Sequence, residues 1–264
     1  MQRLTCKPQY LSASALMAAC ITLSATAQAG DQPTPDIALA DCPVAAHAMG
    51  LRYQQQSAEV QALQRQSWAL ATYRLKDILE KPHEGKSLAI ITDLDETVID
   101  NSALLVRDFK ACHDYTSWDT WGDWEKEGKP TLIPGAKAFL DYASDHDVTI
   151  YYISDRLEEN RSYTMETLKA LGLPQVDKEH VLLLGPPKQA RRASVEKDHQ
   201  VIMQLGDTLH DFSEDFAKRS LSDEYQAVED NAERFGSDWI VLPNTTYGNW
   251  SDATLEGWDK PLKP

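Results

Sequence analysis

The chain has 264 residues, 42% of them hydrophobic, with a formal net charge of −15 and a sequence pI near 4.8. This length accommodates one full α/β domain or at most two small domains, and the hydrophobic content excludes a disordered chain. The excess of acids argues against a nucleic acid polymer as ligand, because phosphate backbones are bound by Lys and Arg, but a small phosphorylated ligand remains compatible.

Residues 1–29 have the pattern of a secretory signal peptide. Arg3 and Lys7 precede a run of small and apolar residues, and a small-residue cleavage site ends at Ala29. The pattern predicts a periplasmic or secreted protein. Two alternatives remain open: a retained membrane anchor, and an outer-membrane lipoprotein attached through Cys20.

A polar arm and a helical segment follow. Residues 30–44 are polar and contain proline, which predicts a flexible arm. Apolar residues recur at helical spacing over 45–79, which predicts one or two helices ending before the Pro- and Gly-containing stretch that follows. Cys42 and Cys112 would remain after cleavage, and the sequence leaves open whether they form a disulfide.

Short apolar runs alternate with helical segments over the rest of the chain. This alternation predicts a Rossmann-like α/β fold, a parallel sheet with helices on both faces. The predicted strands are 87–92, 148–153, 181–184, 201–205 and 239–242, and the helices among them are 136–144, 160–171 and 188–197.

The connection after the first strand is too long for a simple loop. We therefore expect residues 103–133, together with about 45–80, to form a small, mainly helical cap on a catalytic domain spanning 45–264.

Polar side chains follow the predicted strands at their carboxyl ends, where open α/β sheets bind ligands. The candidates are Asp93 and Asp95 after the first strand, Ser154 after the second, Lys188 after the third, and Asp207 and Asp211 after the fourth. Each short motif alone is a weak signal, since Asp-x-Asp is common in solvated turns and Gly-Asp-x-x-x-Asp can cap a helix. Their occurrence in order, each after an apolar run, favours one shared site.

Acids at this density require a counter-charge, and oxygen ligands favour Mg²⁺. One aspartate could attack a phosphoryl group, and a second aspartate two residues on could act as general acid and base. A hydroxyl and a lysine would bind the phosphoryl oxygens. Glu96 is expected to point away from this site by strand alternation and to act as a structural acid.

The stretch ITDLDETVIDNS resembles the first signature of the haloacid dehalogenase superfamily of phosphohydrolases, and GDTLHDF is similar to its last signature in the four-aspartate variant. Within that superfamily, residues 49–250 resemble the class C bacterial acid phosphatases, also described as the outer-membrane lipoprotein acid phosphatase and 5′-nucleotidase family. WDTWGDW, YYISDR and VLPNTTYGNW contribute to the resemblance.

The resemblance implies a role for each catalytic position. Asp93 would be the nucleophile and Asp95 the general acid/base. Mg²⁺ would be held by Asp93, the backbone carbonyl of Asp95, and Asp207. Asp211 would orient this metal site without binding the ion itself.

The resemblance also implies the substrate contacts. Ser154 and Lys188 would bind the phosphoryl group, with Lys197 as the alternative lysine. Trp118 and Tyr247 fall where relatives sandwich a nucleobase, although ordinary cap packing would explain them as well.

These expectations combine into an exported, Mg²⁺-dependent phosphomonoesterase, an acid phosphatase or 5′-nucleotidase that acts through an aspartyl-phosphate. Nicotinamide mononucleotide is included among the expected 5′-nucleotides. The alternatives are a broad acid phosphatase without nucleotide preference and a non-catalytic storage or binding protein on the same fold. The resemblance also suggests a homodimer.

Overall fold

The computed structural model describes Cys42, residues 44–83 and residues 85–259. The predictions on residues 1–29, on Cys20 and on most of the arm at 30–44 lie outside the described residues. Among the helices that are described, none is long and apolar enough to cross a membrane. Cys42 and Val44, at the end of the predicted arm, are both buried, so the packed part of the chain begins slightly earlier than predicted.

The helices and strands of the described chain follow the predicted alternation. The α-helices are α1 (Ala48–Gln56), α2 (Ala58–Leu79), α3 (Ser102–Lys110), α4 (Trp121–Glu127), α5 (Ala136–Asp145), α6 (Arg161–Ala170), α7 (Lys188–Asp198) and α8 (Leu221–Asp230). The strands are β1 (Ser87–Thr92), β2 (Ile99–Asp100), β3 (Thr131–Leu132), β4 (Thr149–Ile153), β5 (Val181–Leu182), β6 (His199–Gly206) and β7 (Trp239–Val241). The five predicted strands and three predicted inter-strand helices are confirmed, each within two residues at its ends.

The helical segment at 45–79 divides at Ser57. Ser57 has an extended backbone, which ends α1, and its side chain accepts a hydrogen bond of 3.0 Å from the Val60 amide, which caps α2. Two helices therefore form where the periodicity predicted one or two.

The main sheet has the strand order β5-β4-β1-β6-β7, and every neighbouring pair is parallel. Alternate residues of β1 face opposite layers of helices, as expected for a strand buried on both sides. Ile90 belongs to the core shared with α2 and α5, whereas Ala89 and Ile91 pack with Val195 of α7. The predicted Rossmann-like sheet with helices on both faces is confirmed.

A second apolar cluster lies outside the sheet layers. Leu51 of α1 packs there with Leu104 and Leu105 of α3, and with Tyr115 and Trp121 of the same insertion. The disulfide between Cys42 and Cys112 joins this cluster, with their Cα atoms 5.5 Å apart. The sequence left open whether Cys42 and Cys112 form a disulfide, and the structure shows that they do.

The two helices that precede β1, α1 and α2, pack against different parts of the protein. The apolar face of α2, which includes Trp68 and Leu75, packs into the sheet core, whereas α1 packs against α3. The domain and cap boundaries remain predictions, but the buried face of α2 belongs to the sheet core. Short antiparallel pairing of β2 with β3 joins the two ends of the insertion.

Candidate active site

The turn after β1 carries the first two aspartates to the open edge of the sheet. The Asp93 amide donates a 2.9 Å hydrogen bond to the carbonyl of Leu205 in β6, which continues the sheet pairing by one residue. Leu94 is fully buried in the core, while Asp93 and Asp95 on either side of it line a cavity of about 1100 Å³. The alternation of buried and cavity-lining residues therefore holds both carboxylates at one place.

Lys188, the first residue of α7, connects two of the predicted acids. Its Nζ lies 2.7 Å from Oδ1 of Asp93 and 2.5 Å from Oδ1 of Asp211. These carboxylates raise the pKa of Lys188 above its usual value, although burial acts in the opposite direction. Lys197, the alternative, is exposed in the last turn of α7 and does not line the cavity.

Three carboxylates form a cluster beside this lysine. Asp93, Asp207 and Asp211 each offer an oxygen, and the three oxygens lie within 4.8 Å of one another. Burial, reinforced by the charge of Asp211, raises the pKa of Asp207 well above its usual value. Burial likewise raises the pKa of Asp93, although Lys188 opposes this shift. A single lysine does not balance three clustered acids, two of them buried, so the oxygen donor set fits a hard divalent cation.

Neighbouring side chains fix the two later acids of the cluster. Asp207 accepts hydrogen bonds from Thr97 Oγ1 at 3.0 Å and from Asn244 Nδ2 at 2.7 Å. Asp211 Oδ2 accepts from the backbone amide and the hydroxyl of Thr208, at 3.0 and 2.8 Å. Burial alone would raise the pKa of Asp211, but the charges of Lys188 and His210 outweigh it and lower that pKa.

Asp95 is held by donors from three directions. Arg156 contacts Oδ1 through Nε at 2.9 Å and Nη2 at 2.8 Å, and Asn101 Nδ2 contacts the same oxygen at 2.9 Å. Ser154 Oγ donates to Oδ2 at 3.0 Å. The predicted phosphate-binding serine thus lies beside the predicted acid/base residue.

Two of these partners were not predicted as site residues. Arg156 follows Ser154 by two positions, and Asn101 is the next-to-last residue of the ITDLDETVIDNS stretch, so both stood within motifs already singled out. Trp124 Nε1 of α4 donates to Asn101 Oδ1 at 2.8 Å, which links the insertion to the aspartate turn.

Trp118 and Tyr247 meet at the other side of the same cavity. Their ring centroids are 5.1 Å apart and their planes are inclined by 80°, so the rings touch edge to face. Trp118 is 49% exposed, whereas Tyr247 is partly buried and also contacts Trp121. The predicted sandwich pair is therefore together in the cavity, with the two rings in contact rather than stacked in parallel.

Glu96 lies in the turn between these two groups of residues. Strand alternation does not set the direction of the Glu96 side chain, because β1 ends at Thr92 and Glu96 has a positive φ of 57°, so the prediction from alternation was wrong. Its side chain is buried and accepts hydrogen bonds from the hydroxyl of Tyr247 and, at 3.0 Å, from the Asn101 amide. Burial, with the charge of Asp95, raises the pKa of Glu96 to about 8.

Comparison with known proteins places the chain among phosphatases. The family model described as "HAD superfamily, subfamily IIIB (Acid phosphatase)" matches residues 8–250, a range that includes both aspartate stretches. A solved structure of the class C acid phosphatase from Bacillus anthracis is similar at 36% identity and a TM-score of 0.74, covering 78% of this chain and 86% of that chain. A second structure from that organism, with tungstate bound, is 35% identical with a TM-score of 0.74, covering 81% of this chain and 92% of that chain.

Proposed function

Because this chain belongs to the acid phosphatases of HAD subfamily IIIB and is therefore a phosphoric monoester hydrolase, we propose that it is an exported, Mg²⁺-dependent enzyme that forms an aspartyl-phosphate on Asp93. The observation that carries the proposal is the arrangement around Asp93. Asp95 lines the same cavity as Asp93, and Ser154 donates a hydrogen bond to Asp95. Lys188 contacts Asp93 at 2.7 Å.

In the first step a carboxylate oxygen of Asp93 attacks phosphorus, and the bond between phosphorus and the ester oxygen breaks. Asp95 gives its proton to the departing oxygen, which leaves as an alcohol. In the second step Asp95 takes a proton from water, and the water oxygen attacks phosphorus. Phosphate leaves, and the Asp93 carboxylate is restored.

The phosphoryl oxygens gain negative charge in both steps and need donors that are already in place. Lys188 supplies a charged donor beside Asp93. The Ser154 hydroxyl donates to Asp95 in this structure and would turn to a phosphoryl oxygen when the ester binds. The class C acid phosphatase from Bacillus anthracis has been solved with tungstate bound, and tungstate is a tetrahedral oxyanion like phosphate, which supports the proposal that this chain binds a phosphoryl group.

Asp93, the backbone carbonyl of Asp95, and Asp207 would hold Mg²⁺. When bound, Mg²⁺ neutralises charge on the phosphoryl group and on the clustered carboxylates. Asp211 accepts a hydrogen bond from the Thr208 amide and pairs with Lys188. It would therefore hold the lysine in place beside the other two carboxylates.

We further propose that 5′-nucleotides are the substrates, with the base against Trp118 and Tyr247. Trp118 offers an exposed ring face for stacking, and both rings border the cavity that holds the acids. The alternative is a broad acid phosphatase that does not use these rings. A homodimer, suggested by the family resemblance, remains part of the proposal.

Export is supported by the signal-like residues 1–29 and by the Cys42–Cys112 bridge, since disulfides persist in oxidising compartments. The protein would be periplasmic or secreted, or anchored to the outer membrane through Cys20. Mass spectrometry of the mature N-terminus separates these outcomes, because cleavage after Ala29 and lipidation at Cys20 give different masses.

The activity is tested by phosphate release from purified protein with Mg²⁺, with a chelator, and in an Asp93→Asn variant. We expect release only in the Mg²⁺ sample, with a loss of at least about a thousandfold in Asp93→Asn. Asp145→Asn, an exposed acid at the end of α5, serves as the matched control and should keep full activity. Activity in Asp93→Asn would reject the nucleophile, and an inactive natural protein would favour the storage protein.

The substrate class is tested by Trp118→Ala and Tyr247→Ala on adenosine 5′-monophosphate and on a simple aryl phosphate. Loss of one stacking contact, roughly 1–3 kcal/mol, should lower kcat/KM on the nucleotide about tenfold more than on the aryl ester. Tyr73→Ala, an exposed aromatic on α2, controls for removal of a surface ring. Equal losses on both esters would favour the broad phosphatase.

A further inference from the structure

Glu96 and Tyr247 form a contact that the reaction steps above do not use. The Tyr247 hydroxyl donates to Oε2 of Glu96, across 151 positions of sequence. Oε1 of the same carboxyl accepts from the Asn101 amide at 3.0 Å. Glu96 is only 1% exposed, so both of its oxygens are committed inside the protein.

This contact joins two parts of the active site. On one side, the Asn101 side chain donates to Asp95 at 2.9 Å, so Glu96 is connected to Asp95 through Asn101. On the other side, the Tyr247 ring touches Trp118 and Trp121, at centroid distances of 5.1 and 6.2 Å and angles of 80° and 82°.

A hydrogen bond at the hydroxyl of a tyrosine fixes the far end of its ring, and with it the direction in which the ring extends from the backbone. The segment after β7 that carries Tyr247 is also held at its earlier residues. The Thr246 carbonyl accepts from the Tyr115 hydroxyl, the Thr245 hydroxyl donates to the Gly50 carbonyl, and the Asn244 side chain donates to Asp207. The contact with Glu96 differs from these because the Tyr247 side chain makes it, and it joins the far end of that ring to the turn that follows β1.

We propose that Glu96 is a positioning residue that acts through Tyr247. It fixes the position of the Tyr247 ring beside Trp118, so that the ring-bearing leaving group of a phosphate ester is aligned with Asp93 and Asp95. The inference rests on the proposed function, because it requires that Tyr247 contacts the organic part of the substrate.

The chemistry of the position explains why a carboxyl or amide is needed. A planar group with two polar atoms serves the Asn101 amide with one atom and the Tyr247 hydroxyl with the other. Glutamine retains both contacts, since its oxygen accepts from the amide and its NH₂ donates to the phenol oxygen. Leucine has similar volume and retains neither.

The experiment measures kcat and KM of Glu96→Leu, Glu96→Gln and Tyr247→Phe on adenosine 5′-monophosphate and on glycerol 2-phosphate, which has no ring. We expect Glu96→Leu and Tyr247→Phe each to lower kcat/KM on the nucleotide at least about fivefold more than on glycerol 2-phosphate. Glu96→Gln should stay within about threefold on both, and the Glu96→Leu/Tyr247→Phe double variant should be no worse than Glu96→Leu.

Tyr152→Phe is the matched control, because its hydroxyl also donates to a single oxygen, the Pro174 carbonyl at 2.8 Å, away from the cavity. It should leave the ratio of the two substrates unchanged. If Glu96→Leu does not fold, Tyr247→Phe removes the same hydrogen bond from the other partner and decides the question.

Equal losses on both substrates, or additive losses in the double variant, would overturn the positioning role while leaving the proposed function intact. A natural protein that releases no phosphate from either ester would reject the proposed function and the inference together. The two failures are therefore distinguishable in one set of assays.

Discussion

Arg156 and Asp95 form an ion pair in which the guanidinium is only 2% exposed and donates from Nε and Nη2 to the same carboxylate oxygen, at 2.9 and 2.8 Å. Asn101 and Ser154 add donors at 2.9 and 3.0 Å. The orientation of Asp95 is therefore set before any ester enters the cavity. A residue that must face the leaving oxygen gains from such fixed geometry, because no reorientation is needed during the reaction.

We predict that Arg156→Lys lowers kcat by about 10–100-fold with a smaller change in KM. Lysine keeps the charge but not the planar fork that orients the Asp95 carboxylate. Arg234→Lys is the matched control, since Arg234 pairs with Asp238 at 2.6 Å and neither residue lines the cavity. Steady-state kinetics decide the question, and an unchanged kcat in Arg156→Lys would show that the pair does not orient Asp95 for reaction.

We predict that Asp207→Asn affects cation binding and stability in opposite directions. Affinity for Mg²⁺, measured by titration calorimetry without substrate, should fall at least about tenfold. The free energy of unfolding in chelator should rise, because burial and Asp211 oppose the charge of Asp207. The exposed Asp223→Asn on α8 should change neither quantity. Unchanged calorimetric affinity would exclude Asp207 as a ligand.

We predict that Glu96 makes stability depend on pH. Its folded-state pKa of about 8 lies above the usual value of 4.5, so the folded protein holds this proton more tightly than the unfolded chain. The resulting stabilisation is full below about pH 4.5 and is lost as the pH rises through about 8. Glu96→Gln does not ionise and should gain stability relative to the natural protein over that window.

Urea unfolding in chelator at several pH values between these limits measures this effect. Glu229→Gln, an exposed acid on α8, is the control and should parallel the natural protein. A Glu96→Gln curve that also parallels the natural protein would show that Glu96 titrates at its ordinary pKa.

We predict that the Cys42–Cys112 bridge contributes about 2–4 kcal/mol to the free energy of unfolding, because it closes a loop with a sequence separation of 70 residues. The double change Cys42→Ser/Cys112→Ser should lower the urea midpoint, and reductant should shift the natural protein by a similar amount. The double variant should itself be insensitive to reductant. A natural protein with the same midpoint in both redox states would contradict the prediction.

The sheet and the residues at its strand ends were predictable because their signals are local. An apolar run followed by Asp93 or by Asp207 is visible within a few residues, and parallel strands bring their carboxyl ends to one edge. The lysine was predictable for a related reason, since Lys188 begins a helix that follows a strand.

The partners of those residues were not predictable, because they depend on which segments meet in space. Nothing near Glu96 in the sequence indicates a tyrosine 151 positions away. The periodicity of α2 showed that the helix has an apolar face, but not that Trp68 and Leu75 would cover the sheet. The cysteines offered a possible pair, and only their separation in the fold decided it.

The central position of β1 has a consequence for how activity is acquired. Its neighbours β4 and β6 both lie later in the chain, and the acid cluster closes only when Thr97 meets Asp207, 110 residues away. Contacts of such long range slow folding, because the loop between the residues must close before the contact can stabilise it. A chain that lacks its C-terminal half has the nucleophile without the groups that complete the site. Recovery of phosphatase activity during refolding will therefore show when β4 and β6 have paired with β1.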